Sequence, residues 1–198
     1  YVSVHYGCPK CKIDEEKPNI IHAPVPPALL RSYASPSIVA WVIYSKYVNG
    51  MPLYRQEKDW LQYGFELSRA TMANWVIECT DKYLRVLYEF YHRLLLSIEF
   101  AMADESPIQV LKEEEREATA KSYVIGRKGW LFSDSPEGAE ASAISYSIAE
   151  TALANGLNVY KYITYVLEKR PTEEMADSEL EKLLPWNDKV FEICKIER

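Results

Sequence analysis

Asp104 stands where a metal-dependent enzyme of nucleic-acid chemistry would put a carboxylate. The mostly apolar run Ser97-Ile98-Glu99-Phe100-Ala101-Met102-Ala103 leads into Asp104-Glu105-Ser106-Pro107, the way a buried strand delivers an acid to a metal. Glu105 is no partner for Asp104, because neighbours on a strand face opposite ways. Two-metal phosphoryl chemistry needs several carboxylates converging on ions ~3.5–4 Å apart. The other acids nearby are poor candidates. Glu113, Glu114 and Glu115 belong to a solvated charge run, and Glu137, Glu140 and Glu150 fall near or within a later helix.

Three further groups of residues have chemistry to offer. Cys8-Pro9-Lys10-Cys11 is half of a zinc knuckle, and a structural zinc wants four ligands. His5 and His22 are the candidates to replace a second cysteine pair; otherwise the pair is two free thiols on a loose tail, or half of a finger whose other pair lies upstream of Tyr1. Ser68, Arg69, Thr71 and Asn74 open a helix after a short turn, and they are the residue types that contact phosphates and base edges. From pattern alone an ordinary helical hairpin with a polar outer face reads slightly better. Arg127, Lys128 and Trp130 combine two cations with an aromatic, which suits phosphate contact and base stacking. They also suit a loop whose Trp130 packs while the cations stay solvated.

The elements that must position these residues are mainly helical. Pro24, Pro26 and Pro27 make a stiff, extended linker after the cysteine pair. Ser35-Pro36 starts a helix as N-cap and first helical residue, with Ile38, Val39, Val42, Ile43 and Tyr47 on its apolar face. Asn49-Gly50 ends it. Pro52 begins a short helix that Gly64 closes in a left-handed conformation. Ser68 caps a long amphipathic helix whose inward positions run Met72, Trp75, Val76, Cys79, Tyr83, Val86, Leu87, Phe90, Leu94 at three-and-four spacing. Beyond Pro136 a helix of small residues runs to Asn155-Gly156. Asn158 caps the next, with Val159, Tyr162, Ile163, Val166 and Leu167 inward and Pro171 as its stop. Ser178-Glu179-Leu180-Glu181 reads as a capping box.

These signals divide the chain into a zinc-type tail and proline linker (1–34), a helical region with the helix-turn-helix-like unit (35–95), a junction carrying Asp104 (96–122) and a C-terminal helical element (123–198). The expected fold is mainly α, a helical assembly with one strand before Asp104.

Composition limits the functions open to such a fold. A net charge of −6 argues against a surface coated for sequence-blind phosphate binding, though not against a local DNA-reading face. No apolar run approaches the ~20 residues of a membrane span, and no signal-peptide pattern is present. Four cysteines at 8, 11, 79 and 194 do not form a disulfide framework, so the expected setting is the reduced cytoplasm. The chain opens on Tyr1 rather than Met, which reads as the loss of something upstream.

Six segments, taken in order, resemble one family. They are Cys8-Pro9-Lys10-Cys11 with its proline linker, Ser45 to Glu57 (SKYVNGMPLYRQE), Leu67-Ser68-Arg69-Ala70-Thr71, Ala103-Asp104-Glu105-Ser106-Pro107, Ile125 to Phe132 (IGRKGWLF) and Leu183-Leu184-Pro185-Trp186-Asn187. Together they resemble the bacterial transposases of the insertion-sequence 66 family, which belong to the Asp-Asp-Glu superfamily. The resemblance implies a ribonuclease-H-like core, here reduced to a remnant strand, and magnesium-dependent cleavage and joining of DNA at the terminal inverted repeats of a mobile element. It makes Asp104 the first catalytic aspartate and a magnesium ligand. Cys8 and Cys11 become the second cysteine pair of a zinc-binding domain. The second aspartate and the glutamate, the latter in an Asn-Asn-x-Ala-Glu-Arg type motif, have no counterpart here. An internally deleted transposase without catalysis of its own is therefore expected, acting on DNA with a second copy or a full-length transposase. A helix-turn-helix DNA-binding protein and an inert remnant are the alternatives.

Overall fold

The computed structural model describes residues 28–30, 32, 34–99 and 135–197 with their side chains. It also gives the backbone of five short strands: β1 (His5–Gly7), β2 (Ile20–His22), β3 (Ser106–Val110), β4 (Lys121–Val124) and β5 (Phe132–Ser133). The helices are α1 (Pro36–Tyr47), α2 (Leu53–Gln62), α3 (Arg69–Cys79), α4 (Arg85–Leu96), α5 (Pro136–Ala154), α6 (Val159–Lys169), α7 (Asp177–Leu180) and α8 (Asp188–Cys194). The fold is mainly α, as the periodicity predicts.

Local sequence explains most of the boundaries. Ser35, Ser68, Ser135 and Asn158 cap α1, α3, α5 and α6, each side chain accepting a backbone N–H three residues on. Gly64 and Gly156 turn the chain after α2 and α5 at φ of 75° and 73°, where a Cβ would be strained. After α6 it is Arg170 that takes the left-handed position, at φ 50°, directly before Pro171.

The long amphipathic helix is continuous from Arg69 to Leu96 but is not α throughout. Thr80–Leu84 forms a π-helical turn between α3 and α4. Within it, buried Thr80 shares a 3.0 Å hydrogen bond with Ser145 of α5. Widened turns of this kind arise where a side chain or neighbour competes with the regular ladder.

Two expectations are corrected. The strand expected over Ser97 to Ala103 does not begin there: α4 runs to Leu96, and 97–99 turn off its end, with Ser97 and Ile98 donating back to Leu94 and Leu95. The capping box at Ser178 is also absent. Helix α7 starts two residues earlier than that cap would give, at Asp177, with Ala176 at the cap and no side-chain bond. Asp177 is held there by Arg93 of α4 at 2.6 Å.

A single hydrophobic core joins the two helical stretches. α1 packs most extensively on α6, and α5 packs on α1, α3 and the π-helical turn. Val39, Val42 and Ile43 of α1 are buried with Met72, Val76, Ile148, Tyr162, Ile163, Val166 and Leu167. Every inward position predicted for α6 is buried. Polar groups in this core are largely satisfied across helices: Tyr47 donates to Ser142 at 3.0 Å, and Tyr162 donates to the carbonyl of Leu183 at 2.8 Å. Tyr162 has one proton and spends it on Leu183, so Tyr91 is the donor in the 2.5 Å bond between the two phenols. The strands form two small sheets, β1 with β2 antiparallel, and β3 between antiparallel β4 and parallel β5.

Candidate nucleic-acid interface

The α2–α3 unit carries four of the sequence-predicted site residues. α2 ends at Gln62, and Gly64 and Phe65 donate back to Leu61 and Trp60. Phe65 then packs edge-on against Trp60 with ring centroids 5.7 Å apart, and Leu67 is buried. These contacts fix where α3 starts. Ser68 caps it by accepting the Thr71 N–H at 3.1 Å, and its hydroxyl shares a 2.9 Å bond with that of Thr71.

Helix N-termini attract anions because their first N–H groups are unpaired and the dipole is positive there. In α3 that position is partly taken. Glu57 of α2 accepts the backbone N–H of Arg69 at 3.0 Å, so a carboxylate of the chain itself occupies the place a DNA phosphate would seek. Thr71 is half-buried, whereas Arg69 and Asn74 stay exposed. A cleft of about 1710 Å³ opens beside this turn, walled by Leu61, Phe65, Trp75, Glu57, Glu66 and Glu168. Among the described residues Arg170 is the one cation on its wall. Of the four residues, then, Arg69 and Asn74 keep solvent-facing side chains, and Ser68 and Thr71 serve chiefly to hold the helix end. Sequence reading missed the role of Glu57. It lies twelve residues before Arg69, and no capping rule reaches that far.

The remaining candidates fall elsewhere. Asp104, Arg127, Lys128, Trp130, Cys8 and Cys11 lie outside the described residues. Among the described residues no group of three or more His, Cys, Asp or Glu is arranged to hold a metal ion. Glu140 is committed to Arg85 at 2.5 Å, and that hydrogen bond holds its carboxyl below the ordinary range. None of the described helices is long and apolar enough to cross a membrane.

Comparison with known proteins decides the family. The model described as "Transposase IS66 family" matches residues 31–124, which hold α1 to α4, β3, β4 and Asp104. The "IS66 C-terminal element" matches 147–186, from within α5 to Trp186. The chain belongs to the IS66 transposase family. The α2–α3 unit is thus an integral part of the transposase match. Two uncharacterized proteins of Sinorhizobium fredii (strain NBRC 101917 / NGR234) are similar: y4qI is 30% identical over 114 residues, covering 57% of this chain and 20% of that protein. The other, y4jD, is 31% identical over 93 residues, or 47% of this chain and 18% of that protein. The matched stretch spans about a fifth of the length of these two relatives. No solved structure matches.

Proposed function

We propose that this chain is a DNA transposition protein of the IS66 family that does not cut or join DNA by itself. One observation carries the reading. The two family matches end and resume at 124 and 147, leaving 22 residues (125–146) between them. The resemblance places the second aspartate and the glutamate on a long stretch between Asp104 and a C-terminal element read from Tyr123, and Glu113 to Lys121 join those flanks directly. The interval between the two matches is short as well, and its acids are Asp134, Glu137 and Glu140. Glu137 lies in the first turn of α5, and Glu140 is paired with Arg85. Asp104 would be left as a lone magnesium ligand, and one carboxylate does not hold two ions.

The partner on this reading is the DNA of element ends, met together with a second copy or a full-length transposase. Exposed Arg69 and Asn74 favour a second reading, a helix-turn-helix protein that occupies those ends without cleaving them. Incubation of the full chain with magnesium or manganese and a duplex bearing the terminal inverted repeats tests both. No nicked product is expected. Binding without nicking selects the second reading, and magnesium-dependent nicking by the purified chain overturns the first.

A further inference from the structure

The cleft beside the α3 turn is large for a small molecule. Its volume of about 1710 Å³ exceeds the ~300–1,000 Å³ of usual ligand pockets. Leu29, Leu67 and Trp75 lie buried in its wall, whereas Leu61 and Phe65 line it and stay 58% and 45% exposed. Apolar side chains gathered on one concave, solvent-facing surface mark a place where something binds. The polar groups of the wall are not equally available. Ser32 accepts the Ala34 N–H, Ser35 caps α1, and Ser68 and Thr71 bond each other, so these hydroxyls are spent locally. Glu57 holds the Arg69 N–H. Glu66 and Glu168 are exposed and, among the described residues, make no hydrogen bond or ion pair. Three carboxylates of the described wall face one guanidinium, that of Arg170, so the wall is net negative.

We propose that this cleft docks a basic amphipathic segment of a protein partner. Its apolar side chains would lie against Leu61, Phe65 and Trp75, and its lysines or arginines would meet Glu66 and Glu168. Charge complementarity selects this occupant. An acidic segment or a nucleic-acid phosphate meets net repulsion at the wall, and an uncharged apolar one leaves the two carboxylates unpaired. Helices that dock in grooves do so through apolar anchors at i, i+3, i+4 and i+7. Long cationic side chains flanking those anchors can lay their stems on the apolar rim and carry the charge outward to the carboxylates. The α2–α3 unit then has two separate faces, the exposed Arg69 and Asn74 for DNA and the acidic cleft for protein. The second does not depend on the first, nor on whether the chain cuts DNA.

The test titrates the full chain into a fluorescein-labelled helical peptide of leucine and lysine, its leucines at i, i+3, i+4 and i+7, and follows anisotropy. Control peptides carry glutamate in place of lysine, or serine in place of leucine. Saturable one-to-one binding of the leucine–lysine peptide alone is expected. Glu66→Gln with Glu168→Gln should weaken it about two- to thirtyfold, the worth of two exposed ion pairs, and flatten its salt dependence. Leu61→Ser should weaken it about fivefold, from the part of a leucine side chain still open to burial. Circular dichroism melts of both variants should match the parent, because the altered side chains are exposed. A benzoylphenylalanine in place of one peptide leucine should cross-link to the cleft wall. No binding, equal binding of the controls, affinity unchanged in both variants, or cross-links elsewhere overturns the proposal. A dimer that excludes the peptide and dissociates in Leu61→Ser also overturns it, by making the occupant a second copy. Duplex DNA that displaces the peptide, and does so more strongly in the double glutamine variant, overturns it in favour of nucleic acid.

Discussion

Arg85, at the start of α4, reaches Glu140 of α5 with Nη1 2.5 Å from Oε1, while its Nε donates to Asp81 at 3.1 Å. The pair joins the first family match to the segment before the second. It also neutralises a carboxylate in the interval between the two matches. The hydrogen bond from Arg85 lowers the Glu140 pKa below its ordinary 4.5. A depressed acid contributes stability that is complete above its unfolded value and disappears as pH falls through the folded one. Glu140→Gln should therefore cost ~0.2–1 kcal/mol at neutral pH, the range for an exposed pair. Urea melts should show that difference fading as pH falls below about 5, where the unfolded carboxyl begins to protonate before the folded one.

Tyr162→Phe should destabilise by ~1–3 kcal/mol, because the Leu183 carbonyl loses its donor and the Tyr91 hydroxyl loses its acceptor. Tyr91→Phe should cost less, since Tyr162 keeps its bond to Leu183. Both tyrosines replaced together should cost less than the sum of the single changes, and chemical denaturation of all four proteins measures the coupling.

Ile163→Ala should cost ~2–5 kcal/mol, the range for truncating a fully buried aliphatic side chain. The residue lies in the core that α1, α3, α5 and α6 share. Tryptophan fluorescence and circular dichroism should accordingly shift together in one transition, although Ile163 is far in sequence from Trp41, Trp60 and Trp75. Two separated transitions would mean that the core is not cooperative across the junction.

Cys79 and Cys194 should resist a thiol reagent at pH 8 in the native protein and react on unfolding. Both are buried, and desolvation pushes their thiols up to about 12 and about 11, so almost no thiolate is present. Counting fast and slow thiols with and without denaturant checks this.

Arg69→Ala with Asn74→Ala should weaken binding to element-end DNA if α3 reads it. Loss of the Arg69 cation should also reduce the salt dependence by about one phosphate contact. Glu57→Gln should strengthen binding on the same reading, because it removes the negative charge at the α3 N-terminus. Affinities unchanged in both variants would take α3 out of the interface.

Much of this protein is determined by its sequence alone, because the signals are local. Ser35-Pro36, Gly64, Ser68, Asn158 and Pro171 mark helix ends through hydrogen bonds and backbone angles spanning a few residues. Val159, Tyr162, Ile163, Val166 and Leu167 announce a buried face by spacing. Where a strand was expected to start at Ser97, residues 97–99 turn off the end of α4, because a short apolar run does not by itself tell a strand from a helix end. Only the tertiary structure decided the rest. It set α6 against α1, closed the α3 N-terminus with Glu57, tied Glu140 to Arg85 and placed His5 opposite His22. Each of these joins residues between 12 and more than 100 positions apart. The reason is physical: capping and periodicity act through neighbouring backbone groups, whereas charge pairing, strand register and core packing depend on which surfaces meet once the chain has folded.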